Sequence, residues 1–513
     1  VVLVAALLLA TACTSAQAPT AAPADMVEKV EKVDMVAEFA EAPCPTPNVP
    51  GVPQLDLGPE FRCGYLTVPE DRSDPDVRTI RIAVARVGAA SPTPRPDPVV
   101  WLTGGPGGTA LASASVLVRG GVNRDREIIF VDQRGTLHAD PFLSCPEIDR
   151  FTVEALGLSV LDPATTERSN AATRACRDRP TGQGVDLADY DTGENAADIA
   201  DLRTALAVPV WNVYGVSYGS DLALQLLRDH PEGIRSLVLD SVVPPQVNLI
   251  EGFWPNAAEG YRALFDACRA QASCAATYPN LGEEFTATVQ RLAEEPLVVD
   301  VPAADGTSTR VVIDGFTFAN LVAVASLSPG NYAGLPFLIH EVATGDGRAA
   351  AEAIVTGVTP PGLVGYGLTL GVFCREQTAF TDTARIQAAG KQALPDFPDP
   401  VLARPPQAPR IVEDCAVWDA GAVGEAVHDV ARSDVPVLML SGSFDAVTPP
   451  SWARVAAGSL PRSRIVEFPG LGHDVVAASD CARSIMTDFL EQPEGGYDTS
   501  CRDRMANPEF TTS

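Results

Sequence analysis

Residues 210–221 read VWNVYGVSYGSD, and no other stretch restricts the architecture of the chain so tightly. An apolar, β-favouring run ends in Gly215-Val216-Ser217-Tyr218-Gly219. The following DLALQLLRDHPEG has helical spacing and stops at a proline, which predicts strand, tight turn and helix in that order. A serine at such a turn is held in a strained backbone conformation, and the flanking glycines let strand and helix approach closely. The arrangement is a nucleophile elbow, with Ser217 standing exposed at the carboxyl edge of a sheet.

A pentapeptide of the form G-x-S-x-G also arises by chance, so the remainder of the chain has to supply a base and an orienting carboxylate. The chain has five histidines. His230 closes the elbow helix, His138 follows the DQRG segment, and His340 and His428 fall in a helical stretch. His473 lies in the glycine-flanked loop Gly470-Leu471-Gly472-His473, directly after the last core strand, and is the candidate base. Asp445 ends the preceding strand, LMLSGSFD, where an orienting carboxylate belongs. Glu467 lies inside the last strand and Asp474 adjoins the base itself, so both are less well placed. The chain order Ser, Asp, His is that of α/β-hydrolases.

A fully apolar strand, Val99 to Leu102, runs into Gly104-Gly105-Pro106-Gly107-Gly108. Glycine-rich loops after strands also cradle phosphates, but Pro106 removes one backbone donor and no lysine follows. The loop fits an oxyanion hole better: the N–H of Gly105, paired with that of Tyr218 after the nucleophile, can meet a developing negative charge. The next strand ends at Asp132-Gln133-Arg134-Gly135, where an Asp and an Arg close together fix a loop by a partly buried ion pair.

Strands and helices alternate through the first half, which predicts an α/β fold with a mainly parallel sheet covered on both faces. The strand rhythm stops near residue 246 and returns only at DVPVLMLSGSFDAVTPP. The expected organisation is a core at 44–246, a mostly helical lid at 247–430, and the second part of the core with a C-terminal tail at 431–513. Residues 14–43 read as a flexible tether. Residues 1–13, VVLVAALLLATAC, read as the apolar part of an export signal ending in a lipoprotein-like box, with Cys13 as the lipidated residue and a membrane as its anchor. The ten other cysteines form an even set in a chain with an export signal, which predicts disulfides, most simply in sequential pairs from Cys44 with Cys63 to Cys481 with Cys501. No C-x-x-C pair with a histidine cluster suggests a metal. The formal net charge of −29 disfavours binding to a phosphate backbone, so nucleic acid is not an expected partner.

The GGPGG loop, the DQRG strand end, the GVSYGS elbow, the GSFDAVTP turn and the GLGH loop together resemble secreted bacterial prolyl and tripeptidyl aminopeptidases of the α/β-hydrolase fold. The resemblance runs from about Cys44 to Cys481, and in the lid the Cys268 to Pro279 cluster and Phe373-Cys374-Arg375-Glu376 look like the tripeptidyl branch. It implies a serine exopeptidase with a helical cap, acting on peptide substrates without metal or cofactor. Thr103 stands where relatives often carry histidine, and Glu376 where they often carry aspartate. By the same analogy Glu376, with Glu251 as alternative, is the carboxylate expected to pair with a substrate's amino group. The competing readings are an esterase on the same fold and a cell-surface binding protein that uses the core as a scaffold.

Overall fold

The computed structural model describes residues 37–46, 57–74, 78–303, 306–328 and 332–512. The expected export signal, with Cys13, and most of the tether lie outside the described residues.

Short, largely apolar runs form the central strands of the sheet, because a strand covered on both faces has no solvent side to mark with polar residues. Val99–Leu102 (β4), Ile128–Val131 (β5), Trp211–Val216 (β6) and Val437–Gly442 (β10) are buried at every position. With Glu38–Ala42 (β1), Phe61–Pro69 (β2), Thr79–Val87 (β3), Ile234–Asp240 (β7) and Ser463–Phe468 (β11) they make a nine-stranded sheet. Its order is β1-β2-β3-β5-β4-β6-β7-β10-β11. The first three strands run antiparallel and the rest, from β5 to β11, are mutually parallel. One face packs on helices 110–119 and 480–491 through Leu111, Ile485 and Phe489, around Trp101 stacked on Tyr214. The other packs on helices 192–205, 218–229 and 450–457 through Ile199, Leu222 and Ala453.

One local expectation needs correction. Residues 38–42, read as tether, form an edge strand: EFAEA pairs antiparallel with β2 from Glu38 opposite Thr67 to Ala42 opposite Cys63, and Phe39 is laid against the core. The stretch between β7 and β10 is mostly helical, but Leu297–Pro302 (β8) and Ser308–Ile313 (β9) pair in it as an antiparallel ribbon. That stretch has an apolar centre of its own, around Trp254, Phe285 and Phe316.

All ten cysteines from Cys44 to Cys501 are joined, in the sequential pairs 44–63, 145–176, 268–274, 374–415 and 481–501. Cys44–Cys63 fastens the edge of the sheet, and Cys481–Cys501 ties the tail to the closing helix.

Candidate active site

The elbow has the geometry its sequence requires. Ser217 sits between β6 and helix 218–229 at φ 57° and ψ −128°, a region that side-chain-bearing residues rarely occupy. The turn closes because Gly215 has no side chain: a Cβ there would stand 2.7 Å from the carbonyl carbon of Gly219. Across from the serine, a Cβ on Gly104 would stand 2.6 Å from Ser217 Cβ, so the glycine-rich loop reaches the elbow only by carrying glycine at that point.

His473 and Asp445 meet at the same sheet edge. The imidazole Nδ1 lies 2.9 Å from Asp445 Oδ2. The other carboxylate oxygen accepts the N–H groups of Val447 and Thr448, both at 2.9 Å, and Thr448 Oγ1 donates to Oδ2 at 2.8 Å. Burial alone would raise the Asp445 carboxyl, but the facing His473 and these amides outweigh it and hold the group below the usual carboxylate range. For His473, burial pushes the imidazole down, and the Asp445 carboxylate, aided by Asp474 and Asp240, more than reverses this and lifts it above its ordinary value. Thr448, three residues after the acid, is a partner that sequence reading passed over. Its signal was the D-x-x-T spacing of an Asx-type turn.

Ser217, Tyr218 and His473 line a cleft of about 280 Å³ together with Thr103, Gly104 and Gly105. Its remaining wall is largely apolar, with Val243, Leu249, Phe253 and Phe373 among its residues. A wider depression lies at the opposite, amino ends of the strands. Its arginines are already engaged, Arg235 with Asn212 and Leu490 O, and Arg462 with Asp434 O and Glu494, and it is remote from the elbow.

The DQRG segment supports the loop rather than forming an internal ion pair. Gln133 Nε2 donates to Thr103 O at 2.9 Å, and Asp132 accepts from Thr109 Oγ1 at 2.9 Å and Leu111 N at 3.1 Å, at the start of helix 110–119. Arg134 does not pair with Asp132; its guanidinium forks onto Asp198 with two bonds of 2.8 Å.

The two acids expected at the substrate's amino group are not brought to the cleft. Glu376 lies in a π-helical turn, Phe373–Gln377, that presents Phe373 to the cleft and turns Glu376 toward helix 192–205. There its oxygens accept from Thr192 N at 2.6 Å and Thr192 Oγ1 at 2.7 Å, and Thr192 Oγ1 lies 3.0 Å from the Tyr218 hydroxyl. Complete burial, with Asp191 and Asp221 nearby, pushes the Glu376 carboxyl well above its ordinary value. Glu251 is spent on Thr381 and on Arg385, the latter at 2.7 Å.

Residues between β7 and β10 bond to the glycine-rich loop and to the loops that carry Asp445 and His473. Thr369 Oγ1 donates to Pro106 O at 2.8 Å and Gly365 N to Gly107 O at 2.9 Å. Asn256 Nδ2 donates to Val447 O at 2.8 Å, beside the acid, and the His473 N–H is received by Ser326 O at 2.9 Å. Among the described residues no cluster of histidine, cysteine and acidic side chains is suited to hold a metal.

Residues 97–305 match the family model described as alpha/beta hydrolase fold, and residues 400–501 match that of the TAP-like proteins. A tripeptidyl aminopeptidase of Streptomyces coelicolor is 30% identical over 200 residues, 37% of this chain and 36% of that protein. The chain thus matches little more than a third of the length of that relative. The serine protease Hip1 of Mycobacterium tuberculosis is 24% identical over 472 residues, 87% of this chain and 88% of that one. A proline iminopeptidase of Neisseria gonorrhoeae is 28% identical over 169 residues, 33% of this chain and 39% of that protein. The order of the sheet and the two family-model matches agree: the chain has the α/β-hydrolase fold and is similar to these peptidases.

Proposed function

We propose that the protein is an exported serine aminopeptidase that releases short fragments from the free amino end of peptides through an acyl-enzyme. The observation that carries this reading is the convergence of Ser217, in its strained elbow, and the Asp445-bonded His473 on one cleft. His473 Nε2 takes the serine proton as Oγ attacks the scissile carbonyl, and returns it to the leaving amine. Asp445 holds the imidazole in the tautomer with the proton on Nδ1 and stabilises the imidazolium. The N–H groups of Gly105 and Tyr218 receive the developing oxyanion. The apolar wall suits an aliphatic or aromatic side chain next to the scissile bond.

Export is supported by five disulfides, which persist in an oxidising compartment. No helix among the described residues is long and apolar enough to cross a membrane, and anchoring through a lipid on Cys13 remains part of the proposal.

The test is a panel of tripeptide amides with free and acetylated amino ends, beside simple esters. A free amino end should raise kcat/KM sharply. Because Glu376 is engaged with Thr192 and lies away from the cleft, Glu376→Gln should leave that ratio of free to blocked substrate unchanged. Equal turnover of blocked and free peptides would favour the second reading, an esterase, which the mainly apolar cleft wall also fits.

The pH profile is expected to follow His473. The base must be neutral to accept the serine proton, and its raised pKa places the acid limb of kcat/KM above the ordinary histidine value of about 6.5. Activity should therefore be full on the alkaline side and decline as pH falls through that limb. A profile flat down to the carboxylate range would exclude His473 as the base.

A further inference from the structure

A second carboxylate joins the nucleophile's strand to the base's loop. Asp240 ends β7, directly beside the elbow strand, and its main-chain carbonyl accepts the Ser217 N–H at 3.0 Å. Its side chain is completely buried and points the other way. The carboxylate accepts the N–H of Val475 at 3.1 Å and of Val476 at 2.8 Å, and the Tyr214 hydroxyl donates to Oδ2 at 2.9 Å. The next residue, Ser241, receives the Asp474 N–H on its Oγ at 2.9 Å. A two-residue corner thus holds Ser217 on one side and the three successive amides after His473 on the other. These hydrogen-bond donors are all amides and hydroxyls, so a carboxylate has been buried here without a cation in direct contact, which is costly unless its charge or its bonds serve a purpose.

We propose that Asp240 is a positioning residue for the reaction, setting the separation of Ser217 from His473 and, with Asp474, keeping negative charge behind the imidazole. This rests on the hydrolase reading above. The groups that face the pair are Tyr214 from the elbow strand, His473 from the base loop, and Arg483 from the closing helix, whose guanidinium donates to Val476 O at 2.6 Å and Ala477 O at 3.0 Å. Burial and the Asp474 charge raise the Asp240 carboxyl, and burial raises that of Asp474. Both acids act on the His473 imidazole, so replacing one leaves the contribution of the other in place.

The experiment compares the parent with Asp240→Asn, Tyr214→Phe and the double variant Asp240→Asn/Asp474→Asn, using a nitrophenyl ester and titrating competent Ser217 with a fluorophosphonate. Asp240→Asn should lower kcat on the order of a hundredfold at nearly constant KM, the effect of displacing a catalytic group by about an ångström. Tyr214→Phe, which spares the carboxylate, should lower kcat on the order of tenfold. The acid limb of kcat/KM should move further to lower pH in the double variant than in Asp240→Asn, because an imidazolium with less negative charge behind it gives up its proton more readily. A kcat for Asp240→Asn within about twofold of the parent overturns the positioning role, and an unmoved limb in the double variant overturns the charge role. Should the asparagine variants fail to fold, a Tyr214→Phe enzyme with parental kcat overturns the positioning role. A parent that neither hydrolyses the ester nor takes the label would instead refute the hydrolase reading itself.

Discussion

Ser217→Ala is expected to lower kcat by on the order of 10⁶ and to abolish labelling by a fluorophosphonate, with the fold unchanged. No second serine shares its position. The elbow exposes Ser217 to the cleft at φ 57°, while Ser220, one turn later, donates its hydroxyl to Ser217 O at 2.6 Å and accepts the Val243 N–H at 2.8 Å, so it is structural. Alanine fits the same backbone conformation as serine, and the substitution removes only a hydroxyl. Intact-mass detection of the phosphonate adduct in the parent and its absence in the variant decides the point. An adduct that persists at another serine would remove Ser217 from the mechanism.

Asp445→Asn should cost on the order of 10⁴ in kcat while leaving the loop in place. Asparagine can keep its carbonyl toward the amides of Val447 and Thr448, but it then turns an NH₂ toward His473 Nδ1. That donor stabilises the tautomer with its proton on Nε2, which cannot accept the serine proton. The lift on the imidazole is lost with the carboxylate charge, so the residual activity should also have an acid limb at lower pH than the parent. Since serine, base and acid act as a unit, Ser217→Ala combined with Asp445→Asn should be hardly worse than Ser217→Ala alone. Near-parental activity of Asp445→Asn would transfer the orienting role to another acid. Glu467, on β11, pairs with Arg454 at the surface and is poorly placed to assume it.

What could be read from the residues, and what could not, divides along a physical line. The elbow, the acid turn and the base loop were legible because each is a local constraint: a serine between glycines, a strand that stops, a loop that must turn. Apolar runs such as VVWL and VLML declared buried parallel strands without knowledge of their neighbours. The edge strand at 38–42 was not legible, since EFAEA has no strand signal until β2 supplies its hydrogen bonds. The direction of Glu376 depended on a single π-helical turn, which shifts the side-chain phase so that Phe373 meets the cleft and the acid meets Thr192. Helical spacing alone would not foretell that turn. Asp240 appeared in the sequence only as the end of a strand, because the amides of Val475 and Val476 that its carboxylate accepts lie more than two hundred residues away.

The bonds that tie Thr369, Asn256 and Ser326 to the glycine-rich, acid and base loops bear on how such an enzyme can be altered. A cover that only screened substrates could be exchanged for that of a relative, giving a new preference at the old rate. Here these residues also supply donors and acceptors to the loops that carry Gly105, Asp445 and His473, so a graft that ignores Pro106 O, Val447 O and the His473 N–H would unsettle those loops. Chimaeras of this chain should therefore be cut so that those three contacts travel together, and a change of specificity should come more readily from Leu249, Phe253 and Phe373 than from replacing the whole stretch between β7 and β10.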